Sequence, residues 1–291
     1  MVETLRSLSN VFILVFIICS MFNLGLKLTL REIFEPLKRV SLVARAVLVN
    51  FVVAPLIAYI LARTLGINQQ FSIGLLILGV AAGSPFAAKL SAIAKGDLAY
   101  TAGLMVLLQL ITIVYAPFIL MIALDDIEID SWGMVQSLVS TMLIPLAAGL
   151  IVRARYKDLA QSLIPHIANA ASVALILQFV SGLFMGSGDL LSLVTTGALA
   201  AATLFTVLML TVGFFMGGPT QETRVVTGLV TAQRSVSAAL LIAAQNFADV
   251  RVLVMVLTGA GLMLAINAVT AAEFGKRLGQ SQMVKDPMSM S

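Results

Sequence analysis

Two stretches set polar and basic residues inside runs that are otherwise apolar: GSPFAAK at 83–89 and TAQRS at 231–235. Lys89 stands five residues beyond Ser84, and Arg234 stands between Gln233 and Ser235. An ammonium and a guanidinium carry donors and positive charge but no acceptor, so the chemistry they suit is the holding of an anion. A cation at mid-bilayer costs about 2.5–3.5 kcal/mol on insertion scales and must face protein, water or a counter-charge. Arg234 has roughly ten residues to either end of its run, about 15 Å at 1.5 Å per residue, which is too far to escape. All 14 carboxylates fall in loops or near the ends of apolar runs, so no acidic side chain is set to neutralise it.

Proline removes a helical donor and disfavours helix before it, yet it starts a helix well after a serine cap. Gly83-Ser84-Pro85 therefore predicts one half-helix stopping at Gly83 and a second starting at Ser84–Pro85, with a plain kink as the alternative. Half-helix N-termini at Ser84 and Ser235 would bring positive dipole ends to the same place. Helical side chains lean toward their own N-terminus, which aims Lys89 at the break; a reach toward the cytoplasm is the alternative. The residues alone thus predict an anion-binding centre of Ser84, Lys89, Gln233, Arg234 and Ser235. Arg45, one turn into its run, reads instead as a snorkelling side chain at the membrane edge.

The elements that must hold these residues are membrane helices. Of 291 residues, 60% are hydrophobic and 11% charged, where soluble domains carry roughly 25% charged residues; the mean hydropathy is +1.05. The runs have the length of membrane helices and lack the period-two alternation of barrel strands. The expected fold class is an all-α polytopic membrane protein, a single transmembrane unit of nine helices. They are read at 8–29, 41–64, 71–95, 98–124, 133–153, 160–187, 190–216, 223–247 and 251–275. The interrupted runs are the third and the eighth, and SPFAAKLSAIAKGD aligns with SVSAALLIAAQNFAD. An odd offset of five makes the repeats cross in opposite senses. Paired interruptions in an inverted repeat are the signature of a secondary transporter with its site at midplane.

Basic residues orient the chain. Three (Arg6, Arg63 and Arg251) fall on the N-terminal side and thirteen on the other, while the connection DDIEID carries only acidic charges. The positive-inside rule then puts the N-terminus outside and the C-terminus in the cytoplasm of a cell (plasma) membrane. It also explains the net charge of +4 without a nucleic-acid partner. No small-residue cleavage site follows the first run, which reads as a retained helix, and the tail QSQMVKDPMSMS reads as frayed. The single Cys19 excludes an internal disulfide and a Cys-rich metal site. His166, read in a polar connection beside Pro165, has no second zinc ligand nearby. No paired aspartates, HExxH or Ser–Lys dyad suggest an enzyme, and no cofactor is expected.

The stretch MFNLGLKLTL at 21–30, the break ending in AKGD, the TAQRS motif and the last helix resemble the bile acid:sodium symporter family over about 250 residues. That resemblance implies a core of 41–64, 71–95, 98–124, 190–216, 223–247 and 251–275, with its broken helices crossing. A panel of 8–29, 133–153 and 160–187 packs beside it, with an organic anion such as a bile salt or monocarboxylate between the two. The nine spans resemble the family's mammalian arrangement rather than its ten-helix bacterial one. The resemblance also implies sodium sites, and here the chain departs from the pattern. The family glutamate falls on Leu229, a Ser-Asn pair on Ala87 and Ala88, and an Asn on Arg234. A hydroxyl pair keeps Thr101 but has Met105 as partner; Gln233 is retained, and Asn50 stands for a family glutamine, which adds it to the substrate site. Thr101 and Gln233 are the residual sodium candidates.

The expected function is secondary-active transport of a small organic anion by alternating access, independent of sodium, with Lys89 and Arg234 replacing the bound ion. A desolvated Lys89 is a candidate for proton coupling. Sodium symport through a reduced site and, from another class, an anion channel are the alternatives.

Overall fold

The computed structural model describes residues 2–124 and 130–285, and among them the chain is helical with no strand. Most of the acidic connection DDIEID, residues 125–129, and the last six residues of the tail lie outside the described part. The helices in chain order are α1 (Val2–Lys27), α2 (Leu30–Phe34), α3 (Val40–Thr64), α4 (Gln69–Val80), α5 (Phe86–Ile93), α6 (Leu98–Ala123) and α7 (Ser131–Arg155). They continue with α8 (Lys157–Met185), α9 (Leu190–Thr195), α10 (Ala198–Met216), α11 (Gln221–Ala232), α12 (Val236–Asn246) and α13 (Val250–Lys285). Among the described residues, eight apolar stretches are long enough to cross a membrane, the α11–α12 stretch among them; α4 is a shorter apolar helix.

Short polar connections start the helices. The side chains of Asn68, Asp97, Asp130, Thr220 and Ser235 each accept an amide of the first turn that follows. Thr29 and Glu32 close a reciprocal capping box on α2. Such caps satisfy amides that have no partner within the helix.

The structure corrects several sequence expectations. The run 190–216 is two helices, because Gly197 adopts a left-handed φ of +75° between α9 and α10. His166 lies inside α8 rather than in a connection, its Nδ1 3.0 Å from the Ser162 carbonyl. The last helix runs ten residues past 275, to Lys285, so the start of the tail is helical and not frayed. Pro165 is carried inside α8 without ending it.

Two long helices contain a π-turn, Val49–Val53 in α3 and Val139–Leu143 in α7, and each is followed closely by a proline, Pro55 or Pro145. Proline has no N–H to return to the preceding turn, and the wider turn redistributes the carbonyls left over.

Helix α1 packs most extensively along α8 and α7. Its contact with α7 is backbone to backbone: a Cβ on Gly149 would lie 2.3 Å from the Phe22 carbonyl, and one on Gly25 2.3 Å from the Leu146 carbonyl. Small residues permit this approach, which suits helices packed in lipid. Gly149→Val is expected to push the pair apart and to cost at least the 1–3 kcal/mol typical of overpacking. Thermal unfolding of the purified protein checks this, with Gly188→Ala, where nothing lies within 4 Å, as a silent control.

Candidate functional site

The two interruptions meet. Helix α4 ends at Val80, and residues 81–85 form an irregular crossing before α5. The break is longer than predicted and begins three residues earlier, because its backbone is engaged elsewhere. Ala82 N–H donates to the Thr112 hydroxyl (3.0 Å), which donates back to the Ala82 carbonyl (3.2 Å). The Ala81 carbonyl accepts the amide of Ser235, in the other break, at 2.8 Å. Gly83 has φ +83°, and a Cβ there would lie 2.3 Å from the Gln109 nitrogen. Only glycine satisfies both conditions. Ser84 is buried; its hydroxyl accepts the Phe86 amide at 3.3 Å, and Pro85 takes the cap position that sequence assigned to serine.

In the second break, α11 stops at Ala232 and α12 starts after Ser235, the interruption expected from TAQRS. Arg234 projects from it into the protein and is completely buried. Its Nε donates to the Leu78 carbonyl (2.9 Å) and Nη2 to the Gly79 carbonyl (2.6 Å), both in the last turn of α4. Nη1 donates to Asn50 Oδ1 (2.6 Å) and to the Thr231 carbonyl (3.2 Å), and Nη2 also faces the Asn50 carbonyl at 3.5 Å.

The counter-charge missing from the carboxylates is therefore supplied by a helix C-terminus. The last carbonyls of a helix lack partners and carry partial negative charge. The π-turn of α3 adds to the cage. Ala54 N–H reaches back to Val49, and Pro55 has no N–H to offer. The carbonyls of Asn50 and Phe51 are left to side-chain donors; Arg234 faces the first, and the Tyr115 hydroxyl donates to the second. Asn50 is held in place by its own amide, which donates to the Ala46 carbonyl (2.9 Å) and to Thr231 Oγ1 (3.1 Å).

The predicted anion centre is therefore divided. Asn50 and Arg234 belong to one hydrogen-bonded cluster, whereas Ser235 bonds elsewhere, its Oγ donating to Gln109 Oε1 at 3.0 Å and its amide to the Ala81 carbonyl. Gln233 turns toward α13, where its Oε1 accepts from Asn267 Nδ2 at 3.2 Å. Gln233 Nε2 and Asn267 Oδ1 are buried without a hydrogen-bond partner among the described residues. Thr101 donates to the Asp97 carbonyl of its own helix at 2.8 Å, and no described hydrogen bond joins it to Gln233.

Lys89 is exposed on α5 and makes no hydrogen bond or ion pair among the described residues. It does not enter the break; its charge faces that of Lys27, at the end of α1. Lys27 Nζ lies 3.3 Å from the Asn23 side-chain amide.

Sequence reasoning missed Gln109, Thr112, Thr231 and Asn267. Gln109 and Asn267 carried a usable signal, since each is a lone amide in an apolar run, LLQLI and AINAV. A buried polar group in such a run is expected to be hydrogen-bonded.

The oxygens around Arg234 form a shell of the kind a hard cation takes, and the guanidinium already engages them. Leu229, where the resemblance implies a carboxylate, is fully buried and apolar, and Ala87 is likewise buried. The residues present do not fit a sodium ion in addition to Arg234.

Comparison with known proteins gives the relationship. The Sodium Bile acid symporter family model matches residues 13–194, more than half of the chain. The chain belongs to this family. It is accordingly an integral membrane protein of a transporter family. Among similar proteins is the "Uncharacterized sodium-dependent transporter YocS" of Bacillus subtilis, 25% identical over 59% of this chain and 54% of its own length. Another is the "Probable sodium/metabolite cotransporter BASS3, chloroplastic" of Arabidopsis thaliana, 22% identical over 64% of this chain and 43% of its own. The chain spans about half the length of these relatives.

Proposed function

We propose that this family member is a secondary-active carrier of a small organic anion whose transport does not require sodium, Arg234 acting as a cation tethered in sodium's place. The observation that carries the reading is the oxygen cage from α3, α4 and α11 closed around a fully buried guanidinium. A fixed charge there holds the two breaks together as a bound ion would, but it cannot leave with the substrate. The nine crossings comprise the eight long stretches and the α4–α5 pair, with the N-terminus outside. Helices α3–α6 and α10–α13 form the core, and α1, α7 and α8 the panel, the two moving against each other.

Because the donors of Arg234 are engaged, the anion is met instead by Lys89 on the core and Lys27 on the panel. At the opposite end, a cleft of about 360 Å³ lies between α1 and α8 on one side and α12 and α13 on the other, with Arg6, Asn10 and Phe247 in its wall. The Asp249 carboxylate in that wall accepts Arg251 Nε at 3.0 Å, and this bond holds it below the ordinary carboxylate range. Arg6 is then the net charge of the cleft.

The test is uptake of labelled monocarboxylates and bile salts into proteoliposomes with sodium replaced by choline. Saturable uptake at an undiminished rate is expected; a strict sodium requirement would overturn the reading in favour of symport. Uptake without saturation would favour a channel.

A further inference from the structure

We propose a second, separate anion site: the cleft between the start of α3 and the turn before α11 binds the phosphodiester headgroup of an anionic phospholipid. The cleft measures about 510 Å³, and its polar wall is Arg39, Ser41, Arg45, Thr220 and Thr223. The turn is shaped for it. Gly218 has φ +86°, a Cβ there would lie 3.1 Å from the Leu42 side chain of α3, and the Gly218 carbonyl is held by Arg224 Nε at 2.7 Å.

The charge balance leaves room for one anion. Arg39 is paired with Asp97 at 2.8 Å, whereas Arg45 has no ion pair or hydrogen bond among the described residues. No side chain caps the start of α3, because its N-cap is Arg39 itself. The positive helix end and the Arg45 guanidinium thus flank the same cleft. A phosphodiester carries a single negative charge and suits the arginine fork.

The apolar face that continues below the cleft selects a lipid over a free ion. Ser41, Arg45, Leu48, Val52, Leu56 and Tyr59 follow helical spacing and form one outward face of α3. Leu48, Val52 and Leu56 are 50%, 55% and 54% exposed, which marks an acyl-chain surface directly below the cleft. The other end of the face carries Tyr59 with Arg63 over its ring at 5.3 Å, an interfacial anchor at the opposite membrane surface. Basic pockets between helices at headgroup level are suited to anionic lipids. The site shares no residue with the Arg234 cage or with Lys89, so it stands whatever the carrier moves.

The experiment reconstitutes the whole protein in nanodiscs containing both phosphatidylglycerol and phosphatidylcholine and measures the lipid retained after detergent extraction by native mass spectrometry. Selective retention of phosphatidylglycerol is expected, reduced about fivefold by Arg45→Gln and unchanged by Arg63→Gln. Ser41→Asp, which sets a negative charge in the cleft without removing any contact, is expected to reduce retention as well. Equal retention by wild type, Arg45→Gln and Ser41→Asp would overturn the proposal. So would displacement of the lipid by millimolar inorganic phosphate, which would make the site one for the free ion.

Discussion

Arg234→Ala is expected to lower the stability of the protein by about 3 kcal/mol or more, and to make what remains responsive to sodium. The substitution removes a buried charge and so relieves a desolvation cost. It also strips donors from the carbonyls of Leu78 and Gly79 and from Asn50 Oδ1, each held at 2.6–2.9 Å in the native protein. An orphaned buried acceptor costs about 1–3 kcal/mol, and breaking a buried charged network by removing one partner typically costs about 3–5 kcal/mol. Loss of the donors therefore outweighs relief of the charge.

The emptied cage keeps its oxygens, which is the donor set a hard cation takes. Thermal unfolding in sodium chloride against choline chloride reads the result: sodium raises the midpoint of Arg234→Ala and leaves the wild type unchanged. Arg234→Lys is expected to fall between the two, since an ammonium keeps the charge but lacks the planar fork that reaches α3, α4 and α11 together. A wild-type midpoint that rises with sodium would count against the cage being filled by Arg234.

Lys89→Gln has the opposite profile. Lys89 is exposed and bonded to nothing among the described residues, so its removal is expected to stay within about 0.5 kcal/mol of wild-type stability. The affinity for an organic anion is expected to fall about tenfold, or 1.4 kcal/mol, a modest share of a contact charge pair near a protein surface. Lys27→Gln is expected to act in the same direction, because its charge faces Lys89 from α1. The measurement is the half-saturating anion concentration for uptake into proteoliposomes, taken alongside the unfolding midpoint. If both variants transport with unchanged affinity and Arg6→Gln does not, the anion docks at the opposite cleft instead.

The breaks were legible in the sequence because serine, proline and a run of three polar residues interrupt apolar helices, a local signal. What those breaks would hold was not. The reading placed Arg234 and Lys89 in one anion centre on the ground that no carboxylate stood near. It counted side chains and overlooked backbone: the acceptors for Arg234 are carbonyls at the end of α4, about 155 residues away in sequence, whose availability depends on where that helix stops. Asn50 came from family likeness alone; its role depends on a π-turn set by Pro55, which residue type does not reveal. Lys89 illustrates the converse, since the lean of a side chain along its helix does not determine which face of the helix is open. His166, read as a connection residue beside Pro165, sits within a helix that continues through both.

The most direct measurement is equilibrium binding of radioactive sodium to the purified wild-type protein, with Arg234→Ala alongside. The expected result is no saturable sodium binding by the wild type and saturable binding by the variant. Saturable binding by the wild type that is lost in the variant would contradict the tethered cation and return the protein to sodium coupling.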